Sequence, residues 1–419
     1  MRLGAIIQPD EYSTKLVRGR PLINYQIDMF KAFEVEDILL DSDGLTPKVK
    51  ALCTGCKVID IKESGELRKR YRGIFFISGD LFVEEGFLNG FEAEGSYVFV
   101  DHSSNKRPNI LFHLWEDSGR KEFDITGRIW RKIEGEDDLF YAENKLSLIE
   151  AKRDIEALKL FSFDLDGTTI LGKRPITGVR EFLSFLKETG RKYSFLTNNS
   201  SRTNKMHAEN LKEILEFPIT EENIMSSIDS LEVYLREKKI KTIYPFVNER
   251  VKEYLSQKVS FSEEKPEMIV VGFNTDATYK EMYTVSRLIF EGVPYLLIHP
   301  DFRCPTEFGY IPDAGSFGKM FELTTDKYPI WVGGKPNPIM VDGLSEKYGI
   351  PKEEIGYVGD RLYTDIEMAK RAGIIGFLVL TGETSLSEYK EYVEKNGKPE
   401  GVFIIDNLTF LRAFMEKRG

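Results

Sequence analysis

Apolar residues in this chain fall into two patterns. Some form short runs bounded by turn-forming residues, which read as buried strands. Others recur every three to four positions over longer stretches, which read as helix faces. In the N-terminal third, residues 3–7, 37–40, 57–61, 73–78 and 97–101 are strand candidates, and a helix is predicted over 22–33. Strands alternating with helices predict a parallel α/β sheet. Leu146, Ile149, Ile155 and Leu158 keep helical spacing through 141–158 with no Pro or Gly cluster, so this stretch reads as a helical connector. From Leu160 the alternation resumes to the end, with strands expected at 243–247, 268–272 and 295–298 and a helix over 278–290. The fold class is therefore α/β throughout, with no internal repeat and no low-complexity tract.

One apolar run differs from the rest. Residues 160–168 read LFSFDLDGT, so a strand ends in Asp164 and Asp166 and turns at once through Gly167 and Thr168. Residues two apart on an extended backbone point to the same side. Two carboxylates at the end of a buried strand are costly unless a cation or a shared proton relieves them. A plain strand followed by an Asp-Gly turn is the alternative. Three further segments follow in order: Tyr193-Ser-Phe-Leu-Thr197-Asn198-Asn199-Ser200, Gly333-Gly-Lys335-Pro-Asn-Pro338, and Ile355-Gly-Tyr-Val-Gly359-Asp360-Arg361-Leu-Tyr-Thr364-Asp365. Three of the four follow apolar strand candidates, and the C-terminal edge of an open α/β sheet is where ligands bind.

As chemistry, the set suits phosphoryl transfer. One carboxylate can attack phosphorus. A second can protonate the leaving oxygen and then deprotonate water, with a pKa raised by its neighbour. A Thr hydroxyl, Asn amides and an ammonium can hold phosphoryl oxygens. Carboxylates with few soft ligands nearby favour Mg²⁺ over zinc. Taken singly, Thr197 could cap a helix and Lys335 could be a solvated loop lysine; the functional reading rests on the ordered set.

That order, DxDGT, strand-Thr, Lys, GDxxxTD, resembles the haloacid dehalogenase (HAD) superfamily of phosphohydrolases. TNNS followed by Arg202-Thr203, GKPNP and GDRLYTDI resemble its 4-nitrophenylphosphatase-like subfamily over about 160–385. The resemblance implies a Rossmann-like core of 159–202 and 331–419 with an α/β cap inserted at 203–330. It implies Asp164 as nucleophile and metal ligand, and Asp166 as general acid/base whose backbone carbonyl also binds metal. Thr197 and Lys335 would hold the phosphoryl group, with Asn198, Asn199 and Asp301 at the substrate. Asp360 would complete the Mg²⁺ ligands, and Asp365 would orient Lys335 or a metal-bound water. The substrate implied is a small phosphorylated metabolite such as a sugar or polyol phosphate. A dehalogenase would not need the second Asp. A transport ATPase of the superfamily would carry Lys-Thr in place of Leu165-Asp166. In the cap, His299 stands where the subfamily places an Asn two residues before Asp301; it reads as a loop imidazole, with substrate contact as the alternative.

Residues 1–140 resemble sugar-phosphate nucleotidyltransferases more weakly, through Leu3-Gly-Ala-Ile-Ile7, Arg20-Pro-Leu-Ile-Asn-Tyr-Gln26 and Ile77-Ser-Gly-Asp80. The Gly-rich basic loop that would wrap nucleotide phosphates reads Gln8-Pro-Asp10-Glu11-Tyr12, two acids and no glycine. A degenerate, non-catalytic nucleotidyltransferase-like domain is expected. The alternative is a bifunctional nucleotidyltransferase–phosphatase of sugar or polyol phosphate metabolism.

Bulk properties narrow the setting. A length of 419 residues suggests two or three domains. A net charge of −10 argues against nucleic acid or an anionic membrane as partner. No apolar run approaches the ~20 residues of a membrane span, and the N-terminal run is too short for a signal peptide. Three cysteines argue against a disulfide framework and for the cytoplasm. Cys53-Thr-Gly-Cys56 has the spacing of a redox or half-zinc motif, but with no second pair it reads as chance. A homo-oligomer is compatible with the sequence.

Overall fold

The computed structural model describes residues 2–10, 12–35, 37–42, 45–53, 56–59, 71–79, 81–83, 85–88, 91, 97–100, 110–114, 121–124, 130–306 and 309–416. The chain forms two compact units. One comprises Met1–Glu156, Thr384–Lys398 and Phe403–Gly419; the other comprises Ala157–Glu383 and Pro399–Val402.

The N-terminal unit is built on a seven-stranded sheet in the order Lys121–Asp124, Tyr97–Val100, Ile110–Leu114, Tyr71–Ser78, Arg2–Gln8, Asp37–Asp41, Lys57–Ile59. Five of the seven strands fall where the apolar runs predict them; Ile110–Leu114 and Lys121–Asp124 lie outside those runs. The sheet is mixed, because Ile110–Leu114 runs antiparallel to both its neighbours. Helix Leu22–Ala32 buries Leu22, Ile23, Gln26, Ile27, Met29 and Phe30. Its Gln26 donates 2.8 Å bonds to the carbonyls of Ser78 and Leu81, pinning the end of a central strand. After Gln8 the chain turns back on itself: Tyr12 and Ser13 donate their backbone N–H to Asp10 Oδ1 at 2.9 and 3.1 Å. A Cβ at Gly79 would collide with Ser13 and the Gln8 carbonyl, so this turn packs tightly on the neighbouring strand end. Asp80 lies outside the described residues. The predicted connector is helical, as Glu136–Glu150 and Lys152–Ala157. Within the unit, the buried Lys145 ammonium meets Asp406 at 2.9 Å, and Tyr141 donates to the same carboxylate at 2.6 Å.

The second unit contains two parallel sheets. Five strands of the first lie in the order Ile224–Ser226, Lys192–Thr197, Leu160–Phe163, Ile355–Gly359, Ile375–Val379. Every residue of Leu160–Phe163 is buried, as expected of a central strand covered by helices on both faces. Helix Val179–Glu188 buries Val179, Phe182, Leu183, Phe185 and Leu186 on one face. Phe182 packs edge-on against Phe161 and Phe163; burying a ring of this size contributes about 1.5–3 kcal/mol. The second sheet runs Ser260–Phe261, Thr242–Phe246, Met268–Val271, Tyr295–Leu297, Trp331–Val332; its first four strands lie within 203–330, the segment expected to form a cap, whereas Trp331–Val332 comes from the segment expected in the core and Ile224–Ser226, expected in the cap, pairs in the first sheet. The helix predicted over 278–290 is Tyr279–Phe290, opened by a capping box of Thr278 and Glu281. An antiparallel pair, Arg303–Thr306 with Gly309–Pro312, projects from this sheet's C-terminal side and was not anticipated. No helix of the described residues is long and apolar enough to cross a membrane.

Candidate active site

Three parallel strands end at the site. Leu160–Phe163 carries Asp164 just past its last residue, and the Asp164 N–H still donates to the Val358 carbonyl at 2.8 Å, so sheet pairing sets this side chain's origin. Thr169 Oγ1 closes on the Asp164 carbonyl at 2.5 Å. Lys192–Thr197 brings up Thr197 and Asn198, both buried. Ile355–Gly359 brings up Asp360. Space around Asp360 is made by missing side chains: a Cβ at Gly167, where φ is +88°, or at Gly382 would run into its carboxylate. The Glu383 N–H donates to Asp360 Oδ2 at 2.7 Å, and Thr168 Oγ1 donates to Oδ1 at 3.4 Å.

Lys335 arrives from the loop after the second sheet and is buried among acids. Its ammonium contacts Asp164 Oδ1, lies 2.7 Å from Asp365 Oδ1 and donates to Tyr357 Oη at 3.0 Å. Tyr357 in turn donates to Asp365 Oδ1 at 3.0 Å. Asp365 Oδ2 accepts the backbone N–H groups of Asp360 and Arg361 at 3.2 and 3.0 Å. Burial works against the Lys335 ammonium, yet the Asp164 and Asp365 carboxylates outweigh it and hold its pKa above the ordinary lysine value. Burial pushes the Asp164 carboxyl well up, with Lys335 opposing and Asp365 and Asp360 reinforcing. Burial, then Asp365, raises Asp360 to about 6. Burial also raises Asp166, partly offset by Arg361.

One cavity collects most of the predicted residues. Asp164, Asp166, Thr197, Asn198, Asn199, Asp301 and Lys335 line it, together with Arg303, Cys304, Asp313, Arg361 and Thr364. Carboxylate oxygens of Asp164, Asp360 and Asp365 lie within 4.8 Å of one another. Three buried carboxylates face the Lys335 ammonium and the nearby Arg361 guanidinium, so acids outnumber cations in this cluster. Oxygen donors with that surplus suit a hard divalent cation. Asn198 ties the two sheets together: its Nδ2 donates to Asp301 Oδ1 at 3.1 Å and to the Lys335 carbonyl at 3.0 Å, and its Oδ1 accepts the Lys335 N–H at 2.6 Å. A wider cavity of about 540 Å³ adjoins, sharing Asp301, Arg303, Arg361 and Thr364 and adding Phe302, Tyr310, Tyr363 and Glu383.

Residues 161–258 match the family of haloacid dehalogenase-like hydrolases, and 332–411 match a second family described as HAD-hydrolase-like. The 5′-nucleotidase YutF of Bacillus subtilis is 30% identical over 257 residues, which is 61% of this chain and 98% of that protein. The chain belongs to the haloacid dehalogenase-like hydrolases. An acid sugar phosphatase of Staphylococcus haemolyticus is 26% identical over 235 residues, 56% of this chain and 89% of that protein. Among solved structures, 4-nitrophenylphosphatase from Thermotoga maritima is 33% identical with a TM-score of 0.58, covering 63% of this chain and 99% of its own. A glycerol phosphate phosphatase from Mycobacterium tuberculosis in complex with calcium is 26% identical with a TM-score of 0.55, covering 62% and 76%. The chain is thus a HAD phosphatase of the 4-nitrophenylphosphatase-like branch, a phosphoric monoester hydrolase for small phosphorylated substrates. The likeness of residues 1–140 to nucleotidyltransferases has no counterpart in these matches.

Two features of this HAD phosphatase depart from the sequence reading. His299 lies in a loop, as read, but faces inward rather than solvent: it is fully buried, with Nε2 3.0 Å from Ser200 Oγ and 3.4 Å from Asp313 Oδ1, and Nδ1 3.7 Å from Asp301. It fills the interior because the segment after Leu297 folds inward over Gly315, where a Cβ would strike the Pro300 and Asp301 carbonyls. Tyr357 was overlooked, since a tyrosine inside an apolar strand reads as core. Only packing reveals that its hydroxyl reaches Lys335 and Asp365.

Proposed function

We propose that this HAD phosphatase is Mg²⁺-dependent and hydrolyses its monoester through an aspartyl-phosphate on Asp164. The supporting observation is the placement of Asp164, flanked by the Lys335 ammonium and the Asp360 carboxylate at the floor of the cavity. Asp164 and Asp360, with the Asp166 backbone carbonyl, would hold the cation. When bound, Mg²⁺ would offset the carboxylate charge and stabilise charge on the phosphoryl oxygens.

Asp164 attacks phosphorus and the bond to the leaving oxygen breaks. Asp166, whose carboxyl burial raises above its ordinary value, donates its proton to that oxygen. The same group then takes a proton from water as it opens the acyl phosphate. Lys335 and the Thr197 hydroxyl hold phosphoryl oxygens; Thr197 Oγ1 already accepts the Asn199 N–H at 3.1 Å, which leaves its own proton for the phosphoryl group. Asn198 keeps Lys335 and Asp301 in register, and Asn199 and Asp301 face the substrate from the cavity wall. The adjoining cavity has room for the leaving group of a small metabolite such as a sugar or polyol phosphate. Nucleotidyl transfer by the N-terminal unit forms no part of this reading, because the segment after Gln8 turns onto its own Asp10.

Hydrolysis of 4-nitrophenyl phosphate tests the proposal. Asp164→Asn should eliminate turnover without altering the circular dichroism spectrum. EDTA should silence the parent enzyme and Mg²⁺ restore it. Normal turnover by a folded Asp164→Asn protein would refute the nucleophile.

A further inference from the structure

The N-terminal unit holds two thiols that the phosphatase chemistry does not use. Cys53 follows helix Pro47–Leu52, and Cys56 immediately precedes strand Lys57–Ile59. The Cys56 N–H donates to the Cys53 carbonyl at 3.2 Å. A hydrogen bond between residues three apart brings their Cα atoms within about 7 Å, and disulfides bridge Cα separations of roughly 4.4–6.8 Å. The thiols lie close enough for each to shift the other's proton affinity.

Their surroundings differ in a way that assigns roles. Cys53 is 4% exposed and belongs to the hydrophobic cluster that includes Phe30 and Val49, whereas Cys56 is half-buried at its margin. The hydrogen bond to Cys56 and burial both hold the Cys53 thiol up. The hydrogen bond from Cys53 lowers Cys56 to about 7, against burial and with help from the Lys31 charge. A partly accessible thiolate beside a sheltered thiol is the arrangement of an attacking and a resolving cysteine. Chance spacing would not supply the closed turn, the unequal burial and the nearby cation together.

We propose that Cys53 and Cys56 form a redox-active dithiol that exchanges with low-molecular-weight disulfides. Cys56 attacks one sulfur of a disulfide RSSR, forms a mixed disulfide Cys56–S–S–R and expels RS⁻, which takes up a proton as RSH. Cys53, losing its proton to solvent, attacks the Cys56 sulfur and expels the second RS⁻. The balance is two thiols oxidised to one disulfide and RSSR reduced to two RSH. The activity is separate from phosphate ester hydrolysis and uses a different part of the chain.

The test uses the folded full-length protein and oxidised glutathione, followed by acid quenching, alkylation and peptide mass mapping. The peptide containing both residues should lose two hydrogens and resist alkylation, and reduced glutathione in excess should reverse this. Cys53→Ser should trap glutathione on Cys56, while Cys56→Ser should leave Cys53 unmodified. At neutral pH, iodoacetamide should label Cys56 at least about a hundredfold faster than Cys304, whose thiol burial pushes up to about 11. Two thiols that both remain alkylatable after excess oxidised glutathione would overturn the proposal. So would glutathione collecting on Cys53 in preference to Cys56.

Discussion

Asp365→Asn is the most incisive change for the site, because four donors converge on this one carboxylate. Oδ1 accepts from Lys335 at 2.7 Å and Tyr357 at 3.0 Å, and Oδ2 accepts from two backbone N–H groups. An amide has one accepting oxygen, and its nitrogen only donates. The rigid backbone pair will claim the oxygen, so the amide nitrogen must face the Lys335 ammonium, donor against donor. Tyr357 can rotate its hydroxyl and accept from the amide, but Lys335 cannot adapt. Losing the charge-assisted bond and leaving an ammonium proton poorly partnered costs about 3 kcal/mol in total. At 1.4 kcal/mol per factor of ten, that is about two decades in kcat if Lys335 must keep its position through phosphoryl transfer. The assay is 4-nitrophenyl phosphate hydrolysis at saturating Mg²⁺, with kcat, KM and the Mg²⁺ midpoint measured separately and folding checked by circular dichroism. A variant whose kcat stays within about threefold of the parent would show that Asp365 does not position Lys335, and the reasoning would fail.

Tyr357→Phe removes one partner each from Lys335 and Asp365 but leaves both ion pairs, so kcat should fall no more than about tenfold; a loss as large as that of Asp365→Asn would refute this ranking. Gly382→Ala drives a methyl into the Asp360 carboxylate. The Mg²⁺ concentration for half-maximal activity should rise at least about tenfold, and an unchanged midpoint would count against Asp360 as a ligand. His207 gives a pH-dependent stability. Burial lowers its pKa from 6.5 to about 4, while Nε2 meets the Asn199 carbonyl at 3.0 Å. The unfolded chain therefore binds the proton more readily, so this contribution is complete above pH 6.5 and is lost as pH falls toward 4. Its full size is about 3 kcal/mol. Thermal melts at pH 7 and pH 5 should show a smaller gap for His207→Gln than for the parent; equal gaps would contradict the assignment.

Much of the site was legible from local pattern alone. Asp164, Asp166, Thr197 and Asp360 stand at or just past the ends of apolar runs, and buried parallel strands announce themselves by such runs. Their carboxylates, hydroxyl and amides could be assigned chemistry by type. The helix beginning at Tyr279 was equally readable, because its cap and its apolar stripe are both local. The antiparallel course of Ile110–Leu114 was not, since strand direction depends on which neighbour it meets. The antiparallel pair beginning at Arg303 escapes the pattern for a different reason: its apolar runs are too short to signal strands.

Residue order thus determined the fold class, the chemical groups available and the strands that carry them, because periodicity and turn chemistry act over a few residues. Tertiary packing alone decided how those groups act together. It placed Lys335 against Asp164 and Asp365, turned the hydroxyl of the core residue Tyr357 into that network, sank His299 between two acids and buried Cys53 more deeply than Cys56. Burial and proximity shift the proton affinities of Asp164, Lys335 and Tyr357, and both arise only when distant segments meet.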